Sequence, residues 1–410
     1  MIEKNLYFDN NEGIGGFEKG AYDNEAKHPS DVNWTRQSKF IIPDQPKIIW
    51  KIEMDNAYVD ETNVKGSFVV DRNNNVIIAD CDNNIVEQHW GRLVQINLDG
   101  EKKEIFNTDM RLKPPVIGKN GFIYLTTTGP MDSIGHILYC LFPNGSVRWE
   151  FLINDNTYSK PVIDGLGNVY VFTYGNDVGT LFSIRDNGTL NWSYKFNSVN
   201  WYEPVISKDG VIYIGMNVNK TLYAFNKNGQ KLWERVLGHG LGSYPINIKN
   251  DGTIYTCLSN TLYALNSDGS TKWRYTPKEG NVVTTPAIDK EGDLYINLSA
   301  FRLVSLNSEG KEKWQTTVKG AALLPPIIGG CNKFYQQSFM QNYPQYKSWI
   351  ETYSKEGEKI WTYELKGSIV STVLADDNLI YALSNCHTYS KKGWMNKMNV
   401  KWELHAIGKL

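Results

Sequence analysis

Two turn motifs alternate along this chain, and their spacing limits its fold more than any other feature. In the first, a strand runs into a Gly turn with Trp four residues further on: Gly145/Trp149, Gly188/Trp192, Gly229/Trp233, Gly269/Trp273, Gly310/Trp314 and Gly357/Trp361. Gly100 begins a seventh copy, with Glu104 in the Trp place. The second motif is Pro-x-x-x-x-x-Gly-x-x-Tyr, at Pro115/Gly121/Tyr124, Pro161/Gly167/Tyr170, Pro204/Gly210/Tyr213 and Pro286/Gly292/Tyr295. Pro245/Gly252/Tyr255 carries one extra residue, and Asn332/Tyr335 and Asn378/Tyr381 put Asn at the turn. Phe68/Asn74/Ile77 is a degenerate first copy. Gly, and next to it Asn, adopts the positive φ that such turns require.

The Gly turns of the first motif recur every 40–47 residues, and each unit offers four short strands. Four strands in about 40–50 residues is the signature of a propeller blade. Seven Gly turns define seven complete units; an eighth has an inner pair around Thr372–Tyr381 and a third strand at Trp402-Glu-Leu-His-Ala-Ile-Gly408, but no outer strand. Pro46-Lys-Ile-Ile-Trp50-Lys-Ile supplies that strand from the other end of the chain, which leaves no open edge. The fold class predicted is therefore all-β: an eight-bladed β-propeller of four-stranded antiparallel blades, closed by N-terminal strand pairing in the last blade. Residues 33–410 form the propeller in this reading, and residues 1–32, rich in Asn, Gly and acids, a surface-draped or poorly ordered extension.

Composition agrees. Thirteen Trp, 24 Tyr and 35 Gly suit many short strands and tight turns. A formal net charge of −1 offers no basic footprint for nucleic acid or for a membrane surface. No apolar run approaches the roughly 18–20 residues needed to span a bilayer. The start, Met1-Ile-Glu-Lys-Asn, lacks the layout of a secretory signal, so the expectation is a cytoplasmic protein, and the Lys- and Asn-rich usage suggests an AT-rich bacterial genome. Cys81, Cys140, Cys257, Cys331 and Cys386 are scattered without a CxxC and read as packed thiols.

Thr261-Leu-Tyr-Ala-Leu-Asn-Ser-Asp-Gly-Ser-Thr-Lys-Trp273 resembles the PQQ-like repeat of quinoprotein alcohol dehydrogenases and of the propeller lipoprotein in bacterial outer-membrane assembly. Asn33-Trp-Thr-Arg-Gln followed by Pro46-Lys-Ile-Ile-Trp50 looks like the lead-in to such propellers. The resemblance spans roughly residues 33–410 and implies a fold, since one propeller fold carries many functions. Its familiar chemistry is not implied. The chain has neither the Cys-Cys pair on which a quinone stacks nor the CxxCH that attaches haem, and no Cys precedes Cys81, so a lipid anchor is not expected. No cofactor is expected.

In a propeller the regular Gly and Asn turns share one face. The second-to-third connections and the blade-to-blade connections share the other, and function concentrates where loops vary on a rigid frame. From the Tyr position to the third-strand apolar position, blades 4, 5 and 6 span 9, 7 and 8 residues (Tyr213–Leu222, Tyr255–Leu262, Tyr295–Leu303). Blades 7, 8, 1 and 2 span 15, 23, 16 and 14 (Tyr335–Ile350, Tyr381–Leu404, Ile77–Leu93, Tyr124–Leu138). A one-sided wall beside the axial mouth is expected, with His89, Trp90 and Arg92 on blade 1, Asp132 and His136 on blade 2, Gln337, Gln341, Tyr343 and Tyr346 on blade 7, and His387, Tyr389, Lys391, Lys392 and Trp394 on blade 8. Aromatic and amide groups together suit amphipathic ligands. Long loops that merely cover the closure seam are the plainer alternative. His89, His136 and His387 lack close ligand spacing, so scattered surface histidines are a plainer reading than a zinc site.

Residues just before each inner strand line the mouth: Arg111, Lys113, Lys160, Trp201, Tyr202, Glu203, Tyr244, Thr284 and Thr285, with His239 in the loop leading into blade 5. Cations from two blades beside a carboxylate form either an anion site or a solvated rim. His405 stands where the repeat has Tyr and reads as packing. Asp71-Arg-Asn73-Asn-Asn75 begins like a calcium loop but aligns on an ordinary blade turn and lacks the Gly of an EF-hand.

Two functions remain open. One is a binding propeller that takes a small polar or anionic ligand, or a protein or peptide, on the loop-rich face and axial mouth, with no nucleic-acid or membrane partner. The alternative is an enzyme, a hydrolase, lyase or diverged oxidoreductase, with its active site at the same mouth, where a Glu–Tyr–His group suits acid–base work if it converges.

Overall fold

The computed structural model describes residues 41–54, 68–81, 91–118, 120–128, 135–153, 155–157, 160–175, 178–198, 203–216, 220–237, 246–258, 260–330, 332–342, 345–376, 378–392 and 395–408. The expected extension 1–32 lies outside them. The described residues form eight antiparallel sheets and no helix. Seven sheets follow chain order: blade 1 starts at Phe68, blade 2 at Val116, blade 3 at Val162, blade 4 at Val205, blade 5 at Asn247, blade 6 at Ala287 and blade 7 at Ile327. The eighth combines Ser368–Asp376, Leu379–Lys392 and Met395–Gly408 with Lys47–Met54 from the other end of the chain. Lys47 pairs with Gly408 and Met54 with Trp402, so the ring closes as expected. Trp50 then packs on Tyr381 of the same blade, ring centroids 5.7 Å apart.

Every turn glycine of both motifs has positive φ, from 78° at Gly310 to 90° at Gly145 and Gly292. Asn74, Asn332 and Asn378 adopt the same region. The motif tryptophans do a second job. Each indole N–H donates to a carbonyl in the outer turn of the following blade: Trp149 to Asp186 at 2.7 Å, Trp192 to Lys227, Trp233 to Ser267 and Trp273 to Ser308 at 2.9 Å each, and Trp314 to Lys355 at 3.0 Å. Trp50 reaches Leu98 of blade 1, and Trp361 reaches Pro43, just before the closing strand. The indole also lies over the next blade's turn glycine, where a Cβ on Gly229 would sit 2.6 Å from Trp192. The motif Gly is thus required twice, for its φ and for the ring on top of it. Between blades, eight hydrophobic clusters fill the eight seams, each anchored by the buried Tyr of the second motif or its neighbours.

Blade 1 departs from the expected pattern. Its bulge falls between Leu93 and Val94, opposite Ile105, so that Glu104 pairs with Val94 and does not occupy the Trp seat. The Ile105 backbone takes that seat over Gly145, and Phe106 packs edge-on against Tyr139 of blade 2 at 5.1 Å. The calcium-like stretch is, as expected, a blade turn. The Asp71 side chain accepts from the backbone N–H of Asn73 and Asn75, which consumes its oxygen locally.

Prolines shape the innermost strands. Pro has no N–H to give a ladder, and blades 2 and 3 show the consequence. The inner strand is split into Arg111–Leu112 and Val116–Ile117 in blade 2, and Asn156–Thr157 and Val162–Ile163 in blade 3. Blades 6 and 7 repeat this with single bridges, Val282 to Leu298 and Ala321 to Phe339, above the rungs that follow the Pro. Blade 8 has Thr372 at the aligned position, and its inner strand runs from Ser368 to Asp376 as one element.

Candidate functional site: the axial mouth and its wall

Of the expected wall, the blade 7 and 8 parts are described, and they are not loop; the blade 1 and 2 connections, 82–90 and 129–134, lie outside the described residues. The second and third strands of blade 7 pair from Lys333–Ser354 to Asn342–Gln345, and those of blade 8 from Leu379–Gly408 to Lys392–Met395. Those strands are 10 and 14 residues long, against 5 in the corresponding strands of blades 5 and 6. At about 3.4 Å per residue the arms extend some 17 and 30 Å further than their neighbours. His387 lies within the blade 8 arm, in register with Val400. Tyr346 pairs with Gln341 in the blade 7 arm.

Several residues expected on the wall lie elsewhere. Gln337 is a buried strand residue whose Oε1 accepts from Thr372 Oγ1 of blade 8 at 3.0 Å. It belongs to a belt of buried amides that links blades 6, 7 and 8. Asn297 Nδ2 donates to the Leu324 carbonyl at 2.8 Å and to Gln336 Oε1 at 3.0 Å. His136 is buried too, with Nδ1 3.3 Å from the Thr127 carbonyl, which overturns its reading as a surface histidine. Among the described residues no group of three or more His, Cys, Asp or Glu is placed to hold a metal. Arg92 stands in a strand opposite Asp80, and its Nε donates to Asp80 Oδ2 at 2.8 Å. His89, Trp90, Trp201, Tyr202, His239 and Tyr244 lie outside the described residues.

Lys113, Lys160, Thr284 and Thr285 sit in the detours made by the split inner strands, Glu203 just before the inner strand of blade 4, and Arg111 in the strand Arg111–Leu112. Lys113, Lys160 and Glu203 are only 3%, 6% and 7% exposed, and Thr284 and Thr285 are buried as well, so they do not form a solvated rim. Burying charge is costly unless it is paired. The Lys113 backbone N–H donates to Thr126 at 2.8 Å, and the Lys160 N–H lies 3.4 Å from Glu203 Oε1 in the next blade. Lys113 and Lys160 make further interactions as well. Arg111 differs. Its Nε and Nη2 are shut off from solvent and have no hydrogen-bond partner.

His405 is buried in the closing blade, as its reading as packing implies. Ser384 Oγ lies 2.9 Å and Glu403 Oε2 3.7 Å from the same nitrogen, Nε2, while Nδ1 is buried without a partner. A relay needs hydroxyl and carboxylate on opposite nitrogens, so this trio is not one. Burial holds the imidazole pKa down at about 4, opposed by Glu403 and aided by Lys51.

Fold and repeat define the class as an eight-bladed β-propeller. The resemblance to PQQ-like repeats is borne out over residues 218–330, which match the model of the family described as outer membrane protein assembly factor BamB. No curated protein matches the sequence. Among solved structures, BamB from Moraxella catarrhalis aligns over 88% of this chain and 97% of its own, with a TM-score of 0.54 and 12% identity. The C-terminal WD40 domain of Sif2 aligns over 91% and 100%, with a TM-score of 0.58 and 10% identity. The Dos1 propeller aligns over 90% and 95%, with a TM-score of 0.53 and 11% identity. At such identities the likeness is one of fold.

Proposed function

We propose that this chain is a binding propeller whose loop-rich face holds an extended acidic segment of a partner protein, seated against the blade 8 arm and running toward the axial mouth. The arm itself carries this reading. Beyond the rungs Met54–Trp402 and Ser368–Asn385, its two strands pair with each other and, among the described strands, with nothing else. A two-stranded ribbon is marginally stable alone in water, and its edges offer unpaired N–H and C=O groups to an added strand. From Asn378 to Trp402 the sequence has Lys391, Lys392, Lys397 and Lys401 and no acid, in a chain whose net charge is −1. That local excess favours an acidic partner. A description as an assembly factor, given to the family that residues 218–330 match, fits a surface that receives other proteins.

The test replaces residues 386–401 by Asn-Gly, a two-residue turn suited to joining paired strands. The parent is expected to bind an alternating Glu–Val dodecapeptide and to ignore its Lys–Val counterpart, and the armless variant should lose that binding. Equal binding by parent and variant, or by the two peptides, would refute the proposal.

A further inference from the structure

Arg111 holds an unspent recognition group. Of the guanidinium donors, Nε and Nη2 are the pair on the side away from Cδ, the side-on fork that takes the two oxygens of one carboxylate. In Arg111 those two nitrogens are buried and have no partner. Other arginines of this chain have guanidinium donors engaged: Arg92 through Nε and Nη2 on Asp80, Arg148 through Nη1 and Nη2 on Asp186, Arg302 through Nη2 on Glu279 and Arg235 through Nη1 and Nη2 on Gly269 and Thr271. A buried donor left without a partner is destabilising, and more so when charged, so an unpartnered fork is a cost that a ligand removes.

The backbone that carries the fork is fixed in place. Arg111 pairs with Thr128 and Leu112 with Thr127, which sets the strand at the mouth end of blade 2. From the other side blade 1 packs so closely that a Cβ on Gly91 would lie 2.5 Å from the Met110 carbonyl and 2.7 Å from Leu112. A strand held this way limits the reorganisation to the side chain itself. Lys113 and Lys160, buried in blades 2 and 3, add positive potential at the same mouth, and Glu203 in blade 4 disfavours a dianion there.

We infer that Arg111 is a carboxylate-binding residue, its Nε–Nη2 fork receiving one carboxylate of the ligand bound on the loop-rich face. The inference rests on the proposed binding of an acidic segment but has its own readout. Heteronuclear spectra tuned to arginine Nε–H groups would be recorded, with the Arg111 signal identified by its loss in Arg111→Lys. That signal is expected to move saturably with acetate, with chloride-matched controls unchanged, and with the Glu–Val peptide. Arg111→Lys keeps the charge and loses the fork, and should weaken peptide binding about tenfold with the arm intact. Arg111→Met should raise the melting temperature of the ligand-free protein, because it removes donors that are buried and unmet; a structural arginine would lower it.

The inference fails if the peptide saturates the parent without moving the Arg111 signal, if Arg111→Lys binds as the parent does, if chloride moves the signal as far as acetate, or if Arg111→Met melts earlier. A parent that ignores the peptide refutes the acidic-segment reading alone. The acetate titration then decides the carboxylate site, pointing to a free small acid if the signal moves and overturning the inference if it does not.

Discussion

Gly145 and Gly121 both sit in tight turns of blade 2 at positive φ, 90° and 80°, and differ in what surrounds them. A Cβ on Gly121 meets nothing nearer than Pro143 at 3.5 Å, whereas one on Gly145 would lie 1.7 Å from the Ile105 carbonyl. Gly121→Ala should therefore cost only the left-handed penalty, about 1–2 kcal/mol in urea unfolding. Gly145→Ala must also displace a neighbouring blade and is expected to cost at least about 4 kcal/mol; equal effects would contradict the packing described. His405 offers a pH test. Its folded pKa of about 4 lies below the usual 6.5, so the unfolded chain takes up a proton first as pH falls. Stability is then fully present above pH 6.5, declines between about 6.5 and 4 by roughly 3 kcal/mol in all, and is flat for this group below that. His405→Gln should flatten that slope in equilibrium unfolding measured across the window. The turn glycines were legible in the sequence because a backbone angle selects the residue type. The vacant fork of Arg111 was not, because it depends on which partners are missing from other blades.

At the level of strands, proline placement was readable and its consequence follows from one missing N–H. Blades 2 and 3 carry the Pro and have split inner strands, whereas blade 8 carries Thr372 and has a continuous one. The length of the blade 7 and 8 connections was equally readable, but their structure was not. Gln336, Gln337 and Ser338 after Tyr335 look like the start of a wet loop, yet they are buried strand residues. Polarity along a strand cannot distinguish water from a neighbouring blade's amide as the hydrogen-bond partner. Because Asn385 and Trp402 are register partners, the Asn-Gly excision described above should preserve the blade, with a melting temperature within a few degrees of the parent. A large loss would mean that the arm supports the ring rather than a ligand.

For the ring as a whole, closure depends on fourteen described residues at the chain's start, 41–54. They complete blade 8, bury Ile42, offer the Pro43 carbonyl to the Trp361 indole N–H and pair Asp44 with Lys333. A chain beginning at residue 55 would leave the Met395–Gly408 strand as an open edge, which invites aggregation. It is expected to lose its single cooperative melting transition and to recover it when a peptide of residues 41–54 is added. Unchanged melting of the shortened chain would show that closure contributes little. The seam between blades 1 and 2 lacks the indole latch and relies on Ile105 and Phe106 instead. The bulge that makes this possible moved by two residues, a shift that no single-strand pattern reveals.

The repeat period, the count of blades and the joining of the two ends could all be derived from residue types and spacing. Turn conformation, aromatic packing and edge closure are short-range or periodic demands, and they leave the same mark in every copy. The state of the axial mouth had to come from three dimensions. Lys113, Lys160 and Glu203 read equally well as a wet rim or a site, and their burial argues against the wet rim. Arg111 looked like one cation among several until its neighbours were placed, and an unmet hydrogen bond is a property of the surroundings rather than of the residue.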